Sequence, residues 1–553
     1  MSTQNGAKLL VDCLLKHGVK TVFGIPGAKV DAVFNELKNV EDKIHLVVCR
    51  HEQNAAFMAA IHGRLTGKPG VVIVTSGPGV TNLTTGLLTA TSEGDPVIAI
   101  GANVSRAMRL KHTHQGLENA NLMTFVSKSS VEVLVPESIP EAIENAFRTA
   151  CEEPGGAAFI SLPQDVLTAP TTIQANPPIP QIELGTAPLS LLEKAAQLIN
   201  SAKKPILLLG MYASKEQNAK VIRELLHEIK FPCVGTFQAA GIISKNLVDC
   251  FIGRVGLFKN QPGDIALDAA DVVITVGYNP VEYDPETWNA HNSNKKIISI
   301  NSAPAEIHAT FLPSLELIGD IAQNIKALAK YLKPRTELLG QDIISLQQKL
   351  LTKIDSGKSK QGKLIHPLRF IYDLTQCVDD KTTVISDIGT HYMWLARYFF
   401  CYEPRHLLFS NGQQTLGVAL PWAISTRMIR PDNKIISISG DGGFLFSATE
   451  LETAVREKCP FVHCVWRDGA YNMVLEQEVM KYKQASGVYF GKVDLVKFAE
   501  SFGAKGYAVQ NSEELLPTLQ QALTEKVPVL IDIPIDYSDN PELFAATNQN
   551  IGN

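Results

Sequence analysis

Short β-branched apolar runs alternate with segments of helical period along most of the chain. In the first third the runs are KTVFGIPG, KIHLVVCR, GVVIVTS, PVIAIGA and AAFISLP. Each is followed by a stretch with apolar residues at helical spacing. That alternation predicts βα units on a parallel sheet. The pattern stops at TAPTTIQANPPIPQIELGTAPLS (168–190), which is rich in Pro and Thr and reads as a linker. It resumes with KPILLLG, FPCVGTF, DVVITVGY and KIISI, and a polar stretch ending in DSGKSKQGKLI (355–365) marks a second linker. A third block carries TTVISDIG, KIISISGDGG, FVHCVWRDG and VPVLIDIPID. The expectation is an α/β protein of three doubly wound parallel-sheet domains, at 1–170, 189–335 and 366–540. The closing residues NPELFAATNQNIGN read as a polar tail. No short tandem repeat suggests a solenoid.

Composition narrows the function classes. The chain has 553 residues, too many for one core, with 45% hydrophobic and 19% charged residues. Its net charge is −5, and no basic block of nucleic-acid type occurs. Acidic substrates must therefore meet local groups. No apolar run reaches the ~18 residues needed to span a bilayer. The N-terminus MSTQNGAKLLVDCLLKHG lacks the layout of a signal peptide. Nine scattered cysteines without a CxxC pair read as thiols in a reducing compartment. A cytoplasmic protein, with no membrane or nucleic-acid partner, is expected.

Open parallel sheets bind ligands beyond the carboxyl ends of their strands. Two loops there share a feature. GDGG follows KIISIS, and RDGAYNMV follows FVHCVW; each puts one aspartate, Asp441 or Asp468, at a strand end. One helical crossover separates them, so the strands can be neighbours and the two carboxylates can reach one ion. Oxygen ligands suit Mg²⁺ or Ca²⁺ rather than zinc, and phosphate oxygens would complete a Mg²⁺ shell. The blander alternative is a turn aspartate with Ser447 and Glu450 forming a capping box. In the first block, Glu52 stands between an apolar strand and an Ala-rich helix that begins near Gln53. A carboxylate there can hold or share a proton; an ordinary first-turn glutamate is the alternative. VVIVTSGPGVTNLTTGL (71–87) reads as a strand, a Gly-Pro-Gly turn and a helix start near Asn82.

Together these pieces resemble the thiamine diphosphate enzymes of the acetolactate synthase and pyruvate decarboxylase superfamily. The carrying stretches are FGIPG (23–27), RHEQNAAFMA (50–59), TSGPGVTN (75–82), SEGDPV (92–97), SGDGGF and WRDGAYNMV. Within that superfamily, SNGQQTLGVALPWA (410–423), IGRVGLFKNQPGD (252–264), YNPVEYDPETWN (278–289) and SFGAKGYAV (501–509) resemble the catabolic, FAD-independent acetolactate synthases. The resemblance implies pyrimidine-binding, central and diphosphate-binding domains. It implies condensation of two pyruvates to 2-acetolactate and CO₂, through a thiazolium ylid and a hydroxyethyl intermediate. The alternatives are another 2-oxoacid decarboxylase, a pyruvate oxidase, or a non-enzymatic paralogue.

The resemblance also assigns roles. Asp441, Asp468 and the carbonyl of Ala470 would hold Mg²⁺, and Glu52 would hydrogen-bond the aminopyrimidine. Pro26, Thr75, Pro78 and Asn82 would lie on the pyrimidine side. Gly389, Gly440, Gly442 and Gly443 would approach the diphosphate, and Leu416 would support the bent cofactor. Gln413, Tyr471, Asn472 and Met473 would line it. Relatives place the two halves on different subunits, so a homodimer is the smallest active unit and a homotetramer is common. The chain departs from the family's usual Asn-Asn pair, having Asp468-Gly469 there. KHTHQGLEN separates His112 from His114 and follows them with Gln115, where carboligases carry glutamine. Gln115 and Gln477 are candidates for orienting the second pyruvate, and Lys128 reads as an exposed lysine. ILLLGMYA carries one glycine rather than a dinucleotide fingerprint, and FAD is not expected.

Overall fold

The computed structural model describes residues 3–290, 293–334 and 341–544. Three six-stranded, all-parallel sheets carry the architecture, as the alternation predicts. The first contains β1 (Thr21–Gly24), β2 (His45–Val48), β3 (Gly70–Val74), β4 (Val97–Asn103), β5 (Ser129–Glu132) and β6 (Ala157–Pro163). Its spatial order is β2-β1-β3-β4-β6-β5. The second contains β7 (Pro205–Leu209), β8 (Cys233–Thr236), β9 (Phe251–Val255), β10 (Val272–Val276), β11 (Lys296–Asn301) and β12 (Leu315–Ile318). Its order is β9-β8-β7-β10-β11-β12. The third contains β13 (Thr382–Ser386), β14 (Leu407–Leu408), β15 (Lys434–Gly440), β16 (Val462–Arg467), β17 (Lys505–Ala508) and β18 (Val529–Pro534). Its order is β14-β13-β15-β16-β18-β17.

The strands absent from the sequence reading are β5, β9, β12, β14 and β17, and every one is a sheet edge. Of these, β5, β12 and β17 are part-exposed, so their sequences are not continuously apolar. Strand β9 is buried but broken by Gly253 and Arg254, and β14 is only two residues long. In each sheet the chain steps to one side of the first strand and then returns to its other side. The reversal leaves a crevice between β1 and β3, between β7 and β10, and between β13 and β15.

The chain folds into two compact units. One comprises residues up to Ile182 with two later segments, 417–431 and 445–460. The other comprises the remainder. In the first unit, helix α1 (Glu52–Thr66) is buried almost all round, with Asn54 to Ile61 inaccessible. Its neighbours come in through glycines. A Cβ on Gly86 would stand 2.4 Å from Ala56 Cβ, and one on Gly70 would stand 2.0 Å from the Ala59 carbonyl. The small side chains of EQNAAFMAAI thus serve close packing. Helix α3 (Ala419–Ile429) lies on it, with Ser425 Oγ donating to the Met58 carbonyl at 2.9 Å. SEGDP has a structural role here. Arg64 of α1 donates to Glu93 and, at 2.6 Å, to Asp95, and its guanidinium stacks 4.6 Å over Trp422.

In the second unit, helix α2 (Thr390–Tyr398) follows β13. Helix α4 (Asp441–Ser447) begins at Asp441, and helix α6 (Asn472–Tyr482) follows β16. Between α4 and α6 in sequence, α5 (Glu450–Arg456) belongs to the first unit. The first turn of the polar tail is a short helix, α7 (Asn540–Phe544); its remaining residues lie outside those described. Residues 172–188 carry no regular element. All nine cysteines are free thiols. Among the described residues no helix is long and apolar enough to cross a membrane.

Candidate active site

The expected site residues fall into two sets, one per unit, each at the carboxyl end of a sheet's reversal point. In the first unit, β1, β2 and β3 end together. Gly24 closes β1 where a Cβ would strike the Ile73 carbonyl at 2.1 Å. Beyond Pro26, a Cβ on Gly27 would meet Thr75 at 2.5 Å, so the FGIPG loop lies against the TSGPG turn. Gly77 takes φ +64°, and Pro78 opens a short helix, Pro78–Thr81. A longer helix, Thr84–Ser92, then starts two residues after Asn82, near the expected place. Asn82 Nδ2 donates to Glu52 Oε2 at 2.9 Å, while Glu52 Oε1 lies beside the bare Cα of Gly79.

Gln115 joins the same cluster. Its φ is +61°, a conformation that costs a non-glycine residue energy and concentrates at functional sites. Ser76 Oγ donates to its Oε1 at 3.3 Å, and its Cβ lies 3.0 Å from where a Gly77 Cβ would be. His112 and His114 are exposed. Lys128, half-buried, donates to the carbonyls of Glu152 and Pro154, so its ammonium is engaged in backbone contacts.

Glu450 has a positioning role beside Glu52 that the sequence reading missed. The anticipated capping box with Ser447 does not form. Ser447 sits inside α4 with its hydroxyl buried and without a hydrogen-bond partner. Glu450, fully buried, instead accepts from the backbone N–H groups of Arg50 and His51 at 2.9 and 3.1 Å. It also accepts from Asn54 Nδ2 at 3.1 Å and Thr453 Oγ1 at 2.6 Å. Burial pushes its carboxyl pKa up, while these donors pull it down. The residue thereby clamps the turn that launches Glu52. No local signal announces such a pairing across 400 residues of chain.

In the second unit, β15 and β16 are neighbours in register, with Gly440 opposite Trp466. Asp441 and Asp468 therefore emerge side by side, as the crossover spacing predicts. Asp441 also has a structural task, in keeping with the turn-aspartate alternative. Its Oδ2 accepts from Gly469 N at 2.8 Å and its Oδ1 from Gly442 N at 3.1 Å, tying the two loops together. Burial raises the Asp441 carboxyl pKa. Desolvation by the loop, then the Asp441 charge, push Asp468 up to about 6. Ala470 N donates to Asp468 Oδ1 at 3.3 Å. Tyr537 keeps a neutral phenol through burial and the same two negative charges.

The glycines divide by cause. A Cβ on Gly442 would come within 2.6 Å of the Tyr471 ring, and one on Gly443 within 3.2 Å of Asp387 Oδ1. Those two are dictated by the protein's own packing. A Cβ on Gly440 would meet nothing nearer than His391 Nδ1 at 3.6 Å, so the protein's packing does not demand a bare backbone there. Gly389 takes φ +149°. His391, completely buried and kept neutral with a pKa near 3 by that burial, has no hydrogen-bond partner for Nε2. It too was missed, because a histidine inside an apolar helical pattern looks like core.

Met473 and Leu416 are partly buried against the core of the third sheet. Gln413 is exposed, Gln477 is half-buried on α6, and Tyr471 packs its ring 5.1 Å from Phe490. Among the described residues no group of three or more His, Cys, Asp or Glu is placed to hold a metal ion. A cation at the strand ends would therefore rest on the Asp441–Asp468 pair with carbonyl, phosphate or water oxygens. That pair fits such an ion well, because each carboxylate repels the other until a cation neutralises both. In the second unit the bare Gly440 and the unpartnered His391 Nε2 fit a diphosphate; in the first, taken by itself, the buried and unpartnered Thr75 Oγ1 fits a polar heteroaromatic ring.

Comparison with known proteins decides the family. Residues 4–122 match the thiamine pyrophosphate enzyme N-terminal TPP binding domain. Residues 192–328 match the central domain of those enzymes, and residues 387–533 their C-terminal TPP binding domain. The chain belongs to the thiamine pyrophosphate enzymes. Among these enzymes it is 49% identical to an acetolactate synthase of Bacillus subtilis, over 97% of this chain and 94% of that one. It is 43% identical to a catabolic acetolactate synthase of Raoultella terrigena, over 98% and 96%. A probable acetolactate synthase large subunit of Methanococcus aeolicus is 31% identical over 97% and 92%. The resemblance read from the motifs therefore holds, and thiamine diphosphate is the cofactor of the family.

Proposed function

We propose that this chain is an acetolactate synthase that condenses two pyruvates to 2-acetolactate and CO₂, using thiamine diphosphate and Mg²⁺ without FAD. What supports the reading is likeness to acetolactate synthases over 97–98% of the chain, together with the expected acidic residues at two strand-end crevices. Glu52 accepts from Asn82 in one unit, and Asp441 and Asp468 follow neighbouring strands in the other. Bound thiamine diphosphate supplies a carbon nucleophile and an electron sink for decarboxylation.

The chain's own residues do the rest. Asp441, Asp468 and the Ala470 carbonyl hold Mg²⁺, and the backbone at Gly389, Gly440, Gly442 and Gly443 leaves room for the diphosphate. Pro26, Thr75, Pro78 and Asn82 surround the pyrimidine, where Glu52 holds or accepts the proton that activation requires. Leu416, Met473, Tyr471, Asn472 and Gln413 shape the space around the thiazolium. Gln115 and Gln477 orient the second pyruvate. The half-sites meet across a subunit boundary, in a homodimer or larger homo-oligomer in the cytoplasm. In support, α6 buries none of its residues within the single chain and exposes Val474, Val479 and Tyr482.

The test is incubation with pyruvate, thiamine diphosphate and Mg²⁺, without flavin, followed by product identification. 2-Acetolactate is expected. Acetaldehyde as sole product would make the protein a simple decarboxylase. Turnover only with added flavin and oxygen would make it an oxidase.

A further inference from the structure

Helix α6 carries Asn472, Met473 and Gln477 directly after the Asp468 loop, yet none of its residues is fully buried. It is fastened by oriented amides. The indole N–H of Trp394 is donor only. It donates to Asn540 Oδ1 at 2.9 Å, with both residues inaccessible to solvent. That bond fixes which way the Asn540 carboxamide faces. Its NH₂ then points at α6, donating to Asn472 Oδ1 at 2.8 Å, with the Glu476 carboxylate nearby one turn on. Thr390 Oγ1 donates to the same Asn472 oxygen at 2.8 Å. With that oxygen doubly engaged, the direction of the Asn472 carboxamide is fixed, just beyond the Asp468 loop. Asn540 opens α7 and lies beyond the residues matched by the C-terminal family domain, which end at 533.

We propose that Asn540 is a positioning residue for the diphosphate site: through Asn472 it aims one amide N–H at Asp468 and locks the first turn of α6. The inference rests on the reading of Asp468 as a Mg²⁺ ligand. It needs the amide's direction and not merely its volume, which separates it from packing.

The test is calorimetric titration of thiamine diphosphate into the full-length protein at fixed Mg²⁺, with circular dichroism of each variant in the absence of ligands. Asn540→Ala should weaken binding about 10-fold, as loss of an outer partner of a metal ligand does. Asn540→Asp keeps the volume and the acceptor for Trp394 but sets a carboxylate against the Asn472 oxygen and Glu476. It should be worse than alanine, about 100-fold. Adding Glu476→Gln should recover part of that loss by returning a donor. Trp394→Phe, which frees the Asn540 amide to flip, should weaken binding in the same direction and serves if an Asn540 variant does not fold. Wild-type affinity in Asn540→Asp, or an alanine variant weaker than the aspartate variant, would overturn the proposal. Failure of the unmodified protein to bind thiamine diphosphate with Mg²⁺ would instead overturn the reading beneath it.

Discussion

Replacing Glu450 by alanine tests whether a residue from late in the chain governs the launch of the helix that bears Glu52. The carboxylate receives two backbone N–H groups, one amide and one hydroxyl, all at 2.6–3.1 Å. Alanine removes the acceptor and keeps the donors. A buried donor left unsatisfied costs about 1–3 kcal/mol, but Arg50 and His51 border solvent and water can meet part of their demand. Asn54 is buried and cannot be reached so easily. The net loss should be about 3–5 kcal/mol. Glu450→Gln, which keeps one acceptor oxygen, should lose less. Chemical denaturation without ligands measures the stability term. Hydrogen–deuterium exchange at C2 of bound thiamine diphosphate, at saturating cofactor and Mg²⁺, measures Glu52's work separately from turnover. The expected result is a variant that still binds cofactor but exchanges at least 10-fold more slowly, with glutamine intermediate. Unchanged stability, or normal exchange in a destabilised variant, would refute the claim that this clamp places Glu52.

Three further outcomes follow from the same geometry. Arg64→Ala leaves Glu93 and Asp95 buried without their cation and should cost about 3–5 kcal/mol, read as a fall in thermal midpoint; an unchanged midpoint contradicts the structural reading of SEGDP. Glu52→Gln should bind thiamine diphosphate within a few-fold of wild type while turnover falls by about 10²–10⁴-fold; near-normal turnover removes the proton role. His463, buried between Ser437 and Ser439, has its pKa held near 3 by that burial. The folded state therefore resists protonation while the unfolded state does not. Its stabilising contribution is complete above pH 6.5 and is lost, at about 1.4 kcal/mol per pH unit, as pH falls from 6.5 toward 3. His463→Gln should flatten acid unfolding over that window, and an unaltered pH profile would contradict the burial argument.

What the sequence revealed follows from where the information sits. Runs such as GVVIV and KIISISG are buried on both faces, so their apolar continuity was legible and placed β3 and β15. The buried β14 is only two residues long, and the KGYA of β17 is half-exposed, so neither leaves a readable pattern. Asp441 and Asp468 were legible because neighbouring strands one crossover apart must bring their loops together. The local capping signature at Ser447 misled, because the donors that claim Glu450 come from residues 50–54. Asn540 was hidden in what reads as a polar tail, and His391 in what reads as core. Asn540 has partners that only the folded chain assembles, and the burial of His391 is likewise visible only in the fold.

The central claim is that Glu52 of one subunit and the Asp441–Asp468 pair of another serve the same cofactor. Mixing Glu52→Gln and Asp441→Ala proteins under conditions of subunit exchange tests it most directly. Each parent should be nearly inactive, but a mixed dimer holds one doubly damaged site and one intact site, so the mixture should regain about a quarter of wild-type activity. No regain, with mixed dimers demonstrated by mass, would contradict the account.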